Sequence, residues 1–164
     1  MAKELDGPYQ LGGRDPAWMK RKPEITLDLV LLGAVLAVTT KEHAAQFGSY
    51  VIGARTAAAG FQDVGDVAGV DRVGDAAIQA EILRDGLLTG RRIERPSASG
   101  VRPGFELRPS IVVTVKFEGI TRDPVTRSLS LRDPKILALR SDKSPGDADT
   151  VQAMEEHDLR QRMR

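Results

Sequence analysis

A stretch rich in Leu and Val runs through residues 25–38 and limits how this chain can fold. Gly33 interrupts it, and no apolar run in the sequence approaches the roughly 20 residues that a membrane-spanning helix requires. The length of the stretch and its Leu and Val content predict a long strand that bends at Gly33. The first residues, Met-Ala-Lys-Glu-Leu-Asp, lack the pattern of a secretory signal, so we expect a cytoplasmic protein that does not enter a membrane.

Several other segments have the composition of strands. The clearest is a β-branched run at residues 111–118, and shorter runs occupy residues 18–22, 47–54, 91–95, 128–131 and 135–140. A helix is predicted at residues 71–86, where Ile78 and Ile82 are four residues apart and Gly86 can cap the C-terminus. A polar helix is predicted at residues 148–163.

Residues 96–104 contain two Pro, two Gly and two Ser, and this composition predicts a loop. The order of the predicted elements favours a mainly β protein. The expected fold is an OB-fold Greek-key barrel with an inserted helix and a C-terminal helix.

Positive charge is concentrated in one part of the chain. The net charge is only +1, but residues 91–143 contain twelve basic and six acidic residues. Lys and Arg neutralise the phosphates of duplex DNA, so this excess is typical of a DNA-binding surface. A basic face that contacts only solvent explains the charge equally well. The chain has one Trp, two Tyr and four Phe, so stacking of bases on aromatic side chains is less favoured than contact with the DNA backbone.

The absence of cysteine excludes disulfides, thiolate metal sites and cysteine nucleophiles. The two histidines are too few for a histidine-rich metal site, and no metal site is expected in this chain.

Two clusters of charged residues are candidates for phosphate binding. In the first, Lys20 and Lys22 lie on the same side of a predicted strand, about 7 Å apart, and can straddle a phosphate chain. In the second, four charged residues flank the apolar residues 136–139: Arg132, Arg140, Asp142 and Lys143. Each cluster is also explained as the polar end or the solvated edge of a strand.

The segment Lys3-Glu4-Leu5-Asp6-Gly7 is one residue too long for a K-x-D-G nucleophile motif, and we reject it as a nucleophile site.

Four runs, taken in order, resemble the C-terminal part of ATP-dependent DNA ligases. Residues 18–22, W-M-K-R-K, resemble motif V of that family, and residues 131–143, from L-R-D-P-K to R-S-D-K, resemble motif VI. Between them lie L-D-L-V-L-L-G-A at residues 27–34 and R-P-S-I-V-V-T-V at residues 108–115. Met1-Ala2-Lys3 resembles the tail of motif IV. Residues 60–67 depart from the G-x-G-F pattern of many relatives.

This resemblance implies a division of the chain into three parts. Residues 1–23 correspond to the last piece of an adenylation domain and its hinge, residues 24–143 to an OB-fold domain, and residues 144–164 to a C-terminal helical tail. It also implies that Lys3, Lys20 and Lys22 bind the nucleotide from the adenylation-domain side. The residues implied to act on ATP from the OB side are Arg132, Arg140, Asp142 and Lys143.

The function implied by the resemblance is nick sealing in DNA repair, replication or recombination, with ATP and Mg²⁺ as cofactors. The OB domain closes over ATP during adenylation of a lysine and then grips nicked duplex DNA. The lysine nucleophile and its K-x-D-G motif are absent here, so we expect the chain alone to be inactive and to require an adenylation domain as its partner. We expect a monomer.

Two alternatives are a nucleic-acid-binding OB module without catalysis and the OB domain of an RNA-capping nucleotidyltransferase. The L-D-L-V-x-x-G-A strand and the long form of the final motif favour a ligase over the capping enzyme.

Overall fold

The computed structural model describes residues 24–37, 47–68 and 72–164, together with the backbone of two short strands. These are β1 (Ala2–Lys3) and β2 (Trp18–Met19), which pair antiparallel with Lys3 opposite Trp18. This pairing places the residues that resemble the tail of motif IV beside the start of the segment that resembles motif V. The predicted site residues Lys20 and Lys22 lie outside the described residues.

β3 (Ile25–Leu36) is the central strand of a seven-stranded antiparallel sheet. One edge of β3 pairs with β4 (Phe47–Arg55), which pairs in turn with β5 (Phe61–Val67). The other edge of β3 pairs with β8 (Val112–Phe117) along its first half and with β7 (Gly100–Leu107) along its second half. A single long strand thus organises both halves of the sheet.

The remaining strands extend this arrangement. β6 (Leu88–Ser97) pairs with β7, and β11 (Lys135–Leu139) pairs with β8. β9 (Gly119–Arg122) and β10 (Leu129–Arg132) form a separate two-stranded sheet. After β8 the chain therefore leaves the main sheet to form β9 and β10, and it returns to the main sheet with β11. The return of the chain brings Arg140 beside Val112 at the start of β8.

The mainly β class is confirmed, and the arrangement is consistent with the predicted OB-fold. Among the described strands, no hydrogen-bonded ladder joins the outer strands β5 and β11, so the sheet is not closed. β10 instead lies against β5 without pairing to it.

The two predicted helices are confirmed at α1 (Arg72–Arg84) and α2 (Val151–Arg162). In α1, Ile78 and Ile82 are buried against the sheet, as their spacing predicts. Gly86 has a φ of +59° just after the helix, a conformation that glycine adopts without strain. In α2, Thr150 accepts a hydrogen bond from the N–H of Ala153 at 3.1 Å, and Met154 is buried.

A β-bulge lies at the position of the predicted bend in the long strand. The pairing of β3 with β4 shifts register between Leu31 and Gly33, which makes Leu32 the extra residue. Gly33 allows β6 to lie close, because a Cβ there would come within 2.7 Å of Cδ1 of Ile93.

The loop prediction for residues 96–104 is wrong. These residues form the turn end of a tight hairpin between β6 and β7, which turns at residues 98–99. Pro96 is tolerated because β6 is an edge strand that pairs only with β7 among the described strands. Pro103 is tolerated on β7 because the ladder between β7 and β3 covers only Gly104 to Glu106. Gly100 has a φ of +118°, and the Ser97 hydroxyl donates to the Gly100 carbonyl at 2.8 Å, which stabilises the turn.

Residues 144–164 contact the sheet directly. The N–H of Arg55 donates to the Asp149 carbonyl at 2.9 Å, and the Arg55 guanidinium donates to the Ala148 carbonyl at 2.6 Å. The division at residues 23/24 and 143/144 stays a prediction.

Candidate functional site

A partly buried acidic residue lies at the centre of the candidate site. Asp28 is on β3, directly opposite Thr114 of β8, so the two side chains lie on the same face of the sheet. The Thr114 hydroxyl donates to Oδ1 of Asp28 at 2.6 Å. The Asp28 side chain is only 15% exposed, and a carboxylate at such a position requires partners.

Arg140 supplies the first cationic partner. It follows β11, and its backbone N–H donates to the Val112 carbonyl at 2.8 Å. Its Nε and Nη2 donate to the two oxygens of Asp142 at 3.0 and 2.9 Å, a bidentate arrangement. Its Nη1 lies 3.3 Å from the Thr114 hydroxyl and 3.7 Å from Oδ1 of Asp28. Arg140 is therefore held by two carboxylates in a fixed orientation.

Lys143 supplies the second cationic partner. Its Nζ donates to Oδ2 of Asp28 and forms an ion pair with it. The turn that carries it is closed by a hydrogen bond of 3.2 Å from the Lys143 N–H to the Arg140 carbonyl. Three of the residues predicted to act on ATP, Arg140, Asp142 and Lys143, thus lie together around Asp28.

The pKa values in this cluster reflect its charges. Burial raises the pKa of Asp28, but hydrogen bonds from Lys143 and Thr114 and the charges of Lys143 and Arg140 outweigh it, so the pKa lies below the usual range. The hydrogen bond from Arg140 is the main cause that lowers the pKa of Asp142 to about 2. Both carboxylates are ionised at neutral pH.

An open groove of about 720 Å³ lies beside this cluster, between α1 and the end of β11. Its cationic lining residues are Arg84 of α1, Arg140 and Lys143, and hydroxyls come from Ser110, Ser141 and Ser144. Glu81 is an acidic residue of the same lining. Guanidinium, ammonium and hydroxyl groups are the donors that phosphate oxygens require.

Among the described contacts, none joins Arg132 to this cluster. Arg132 ends β10, where its backbone pairs with Gly119, and its exposed side chain makes no hydrogen bond or ion pair with any described residue. Lys3 is described only through the pairing of β1 with β2.

Asp28 was not among the residues singled out from the sequence. One signal was present, because Asp28 is a charged residue inside the apolar run L-D-L-V of a predicted strand. Such a residue requires a buried partner. Its partners Thr114, Arg140 and Lys143 are 86 to 115 residues away in the sequence, so spacing did not connect them.

Six cations of residues 91–143 make no ion pair with any described carboxylate, and all but Arg102 are exposed. They are distributed over the β6–β7 hairpin, the residue after β7 and the turns around β10: Arg92, Arg102, Arg108, Arg127, Arg132 and Lys135. In contrast, none of the five aromatic side chains that the structure describes is exposed: Phe47, Tyr50, Phe61, Phe105 and Phe117. The described surface thus offers charge for a phosphate backbone but no aromatic platform for bases.

The described residues contain no group of three or more His, Asp or Glu side chains that could hold a metal ion. None of the described helices is long and apolar enough to span a membrane.

Residues 43–143 match the family model of the "ATP dependent DNA ligase C terminal region". The DNA ligase of Thermococcus fumicolans is 32% identical over 158 residues, which are 95% of this chain and 26% of that protein. The DNA ligase of Halobacterium salinarum is 34% identical over 158 residues, which are 94% of this chain and 26% of that protein. The chain therefore spans about a quarter of the length of these relatives.

Among solved structures, the fold resembles that of a mycobacterial DNA ligase D complexed with ATP and MES, with a TM-score of 0.52 and 24% sequence identity. The match covers 90% of this chain and 45% of the ligase chain. At this level of identity the likeness supports the fold alone.

Proposed function

Since the chain belongs to the family of ATP-dependent DNA ligase C-terminal regions, we propose that it closes over ATP during lysine adenylation and then grips nicked duplex DNA during phosphodiester bond formation. The observation that carries the proposal is the cluster of Arg140, Asp142 and Lys143 around Asp28, at the edge of a groove lined by cations and hydroxyls. Such a surface fits the triphosphate of ATP.

In the first step of the proposed reaction, a lysine of the adenylation domain attacks the α-phosphate of ATP, and the bond to pyrophosphate breaks. Negative charge develops on the leaving pyrophosphate. Arg140 stabilises this charge if the domain brings it against the β- and γ-phosphates, because Asp142 already holds its guanidinium in place, and Lys143 supplies a second cation there. Asp142 orients Arg140 through the bidentate pair. We propose that Arg132 approaches the same phosphates when the domain closes.

Lys3, Lys20 and Lys22 are proposed to contact the nucleotide from the adenylation-domain side. The pairing of Lys3 with Trp18 supports this proposal, because it makes the residues that resemble motif IV and motif V neighbours on adjacent strands. A Mg²⁺ ion takes part in the proposed reaction, but the described carboxylates of the site do not fit it, because Asp28 and Asp142 are both engaged by cations. No step is assigned to the metal in this chain.

The proposed setting is DNA repair, replication or recombination in the cytoplasm, with the chain acting as a monomer beside an adenylation domain. A composition without cysteine is suited to a reducing compartment.

We expect the 164-residue chain alone to take up no covalent label from ATP, because it lacks the K-x-D-G lysine. The measurement is incubation with radiolabelled ATP and Mg²⁺ followed by a denaturing gel. When an adenylation domain of a relative is added, the label is expected on that domain. A labelled band at 17.8 kDa would contradict the proposal.

We expect weak binding to duplex DNA that does not depend on sequence and falls linearly as log affinity against log salt. With six cations free of ion pairs, contact with about four phosphates gives a slope of about −4. Lys135→Ala is expected to reduce the slope by about 1. Lys116→Ala is the matched control, because Lys116 is a lysine that is already paired with Glu24 at 2.6 Å. A flat salt dependence, or a strong preference for single strands, would instead support a base-stacking module.

A further inference from the structure

Asp28 is the one acidic group of the described residues that both cations of the site share. Lys143 has no other hydrogen-bond acceptor for its Nζ among the described residues, and Arg140 approaches Asp28 at 3.7 Å in addition to its pair with Asp142. A lysine side chain has many rotamers, so the position of Lys143 at the groove depends on this single carboxylate.

The position of Asp28 is itself fixed. Its backbone N–H donates to Oδ2 of Asp149 at 2.7 Å, and its carbonyl accepts from the Asp149 N–H at 2.7 Å. Its side chain is oriented from the opposite side by the Thr114 hydroxyl. Because strand pairing and these bonds hold Asp28, its carboxylate cannot follow Lys143 if the ammonium group moves toward a ligand.

We propose that Asp28 is a positioning residue, a resident counterion that holds Lys143 and Arg140 at the groove and is exchanged for phosphate oxygens when a polyphosphate binds. The proposal rests on the proposed function of Arg140 and Lys143. It adds a residue on β3 that does not itself contact the nucleotide. Binding then includes the breaking of the ion pair between Lys143 and Asp28, because one ammonium group serves both acceptors.

The test is titration of the 164-residue chain with inorganic tripolyphosphate by calorimetry. Asp28→Asn removes the competing charge and keeps the size of the side chain, so we expect it to bind about fivefold more tightly than the wild type. The amide can still accept the Thr114 hydroxyl bond. Asp66→Asn is the matched control, because it removes the same charge from a strand carboxylate whose ion-pair partner is Arg95, and neither residue lines the groove. Its affinity is expected to stay within twofold of the wild type.

A second readout follows Lys143 directly. In the free wild-type chain, the ¹⁵N signal of the Lys143 ammonium group is expected to be protected from exchange, and tripolyphosphate or Asp28→Asn is expected to change it. A role of Asp28 in folding alone does not predict that tripolyphosphate changes this signal in the wild type. Should Asp28→Asn not fold, Asp28→Ser removes the same charge and keeps a hydroxyl beside Thr114.

The outcomes separate the two proposals. Tighter binding by Asp28→Asn, with binding lost in Lys143→Ala, supports the counterion role. Unchanged or weaker binding by a folded Asp28→Asn, with Lys143→Ala still defective, overturns the counterion role and leaves the proposed function intact. Tripolyphosphate binding that is absent in the wild type, or equal in Lys143→Ala, overturns both.

Discussion

Arg140→Ala is expected to slow self-adenylation by about 30- to 1,000-fold, equivalent to roughly 2–4 kcal/mol, in a ligase assembled from this chain and the adenylation domain of a relative. The structure gives the physical reason. The guanidinium is held by Asp142 and approaches Asp28 before any nucleotide binds, so it is preorganised for charge that develops on pyrophosphate. The measurement is the single-turnover rate of covalent adenylation at saturating ATP. Lys143→Ala is expected to lose activity in the same range.

Arg127→Ala is the matched control for this prediction. Arg127 is an exposed arginine in the β9–β10 turn and makes no ion pair with the described residues. Its removal changes the net charge by the same amount, and we expect the adenylation rate to stay within twofold. A comparable loss in both variants would show that overall charge, rather than the placement of Arg140, determines the rate.

Arg122→Ala is expected to lower the free energy of unfolding by roughly 3 kcal/mol. Arg122 of β9 donates to Oδ2 of Asp158 at 3.1 Å, and the side chain of Asp158 on α2 is only 4% exposed. Without Arg122 the buried carboxylate keeps one partner, the more exposed Arg162, whose Nε lies 3.2 Å from Oδ1. The measurement is equilibrium unfolding in urea.

Arg84→Ala is the control for stability, since its pair with Asp85 is exposed and we expect no measurable change in the free energy of unfolding.

The pH dependence of stability gives a second check on the pair between Arg122 and Asp158. Burial raises the pKa of Asp158, but the hydrogen bonds from Arg122 and Arg162 outweigh it and place the pKa below the usual range. The stability from this pair is therefore present above pH about 4 and is lost as the pH falls further. The difference between wild type and Arg122→Ala should shrink at low pH, and a constant difference would contradict the account.

The main strands were predictable because their signal is local. β3 and β8 are rich in Leu, Val and β-branched residues, and both are buried on the core side. β5 was missed because its sequence, F-Q-D-V-G-D-V, is acidic and contains glycine. Asp63 and Asp66 of β5 are instead held by ion pairs with Arg95 of β6, which is 32 and 29 residues away, respectively. Such a strand is stabilised by tertiary contacts that its own composition does not reveal.

Part of the candidate site was visible in the sequence, and its action on ATP stays a prediction that rests on the family resemblance. Arg140, Asp142 and Lys143 lie within four residues, and their pattern is visible in one segment. Asp28 joins them only because β3 pairs with β8 in the register that sets Asp28 opposite Thr114. A shift of one residue would place Asp28 on the other face of the sheet and leave Lys143 without this partner. The register of β3 against β8 is set by contacts across the whole sheet, and a local sequence pattern does not reveal those contacts.

The most direct test of the central claim compares two rates in the same Arg140→Ala ligase, self-adenylation with ATP and sealing of a nick that is already adenylated. Sealing releases no pyrophosphate, so cations that act on the leaving pyrophosphate contribute little to the rate of that step. The account predicts that self-adenylation falls about 30- to 1,000-fold while sealing stays within about threefold of the wild type. Equal losses in the two rates would contradict it and would show that Arg140 supports folding or the grip on DNA instead.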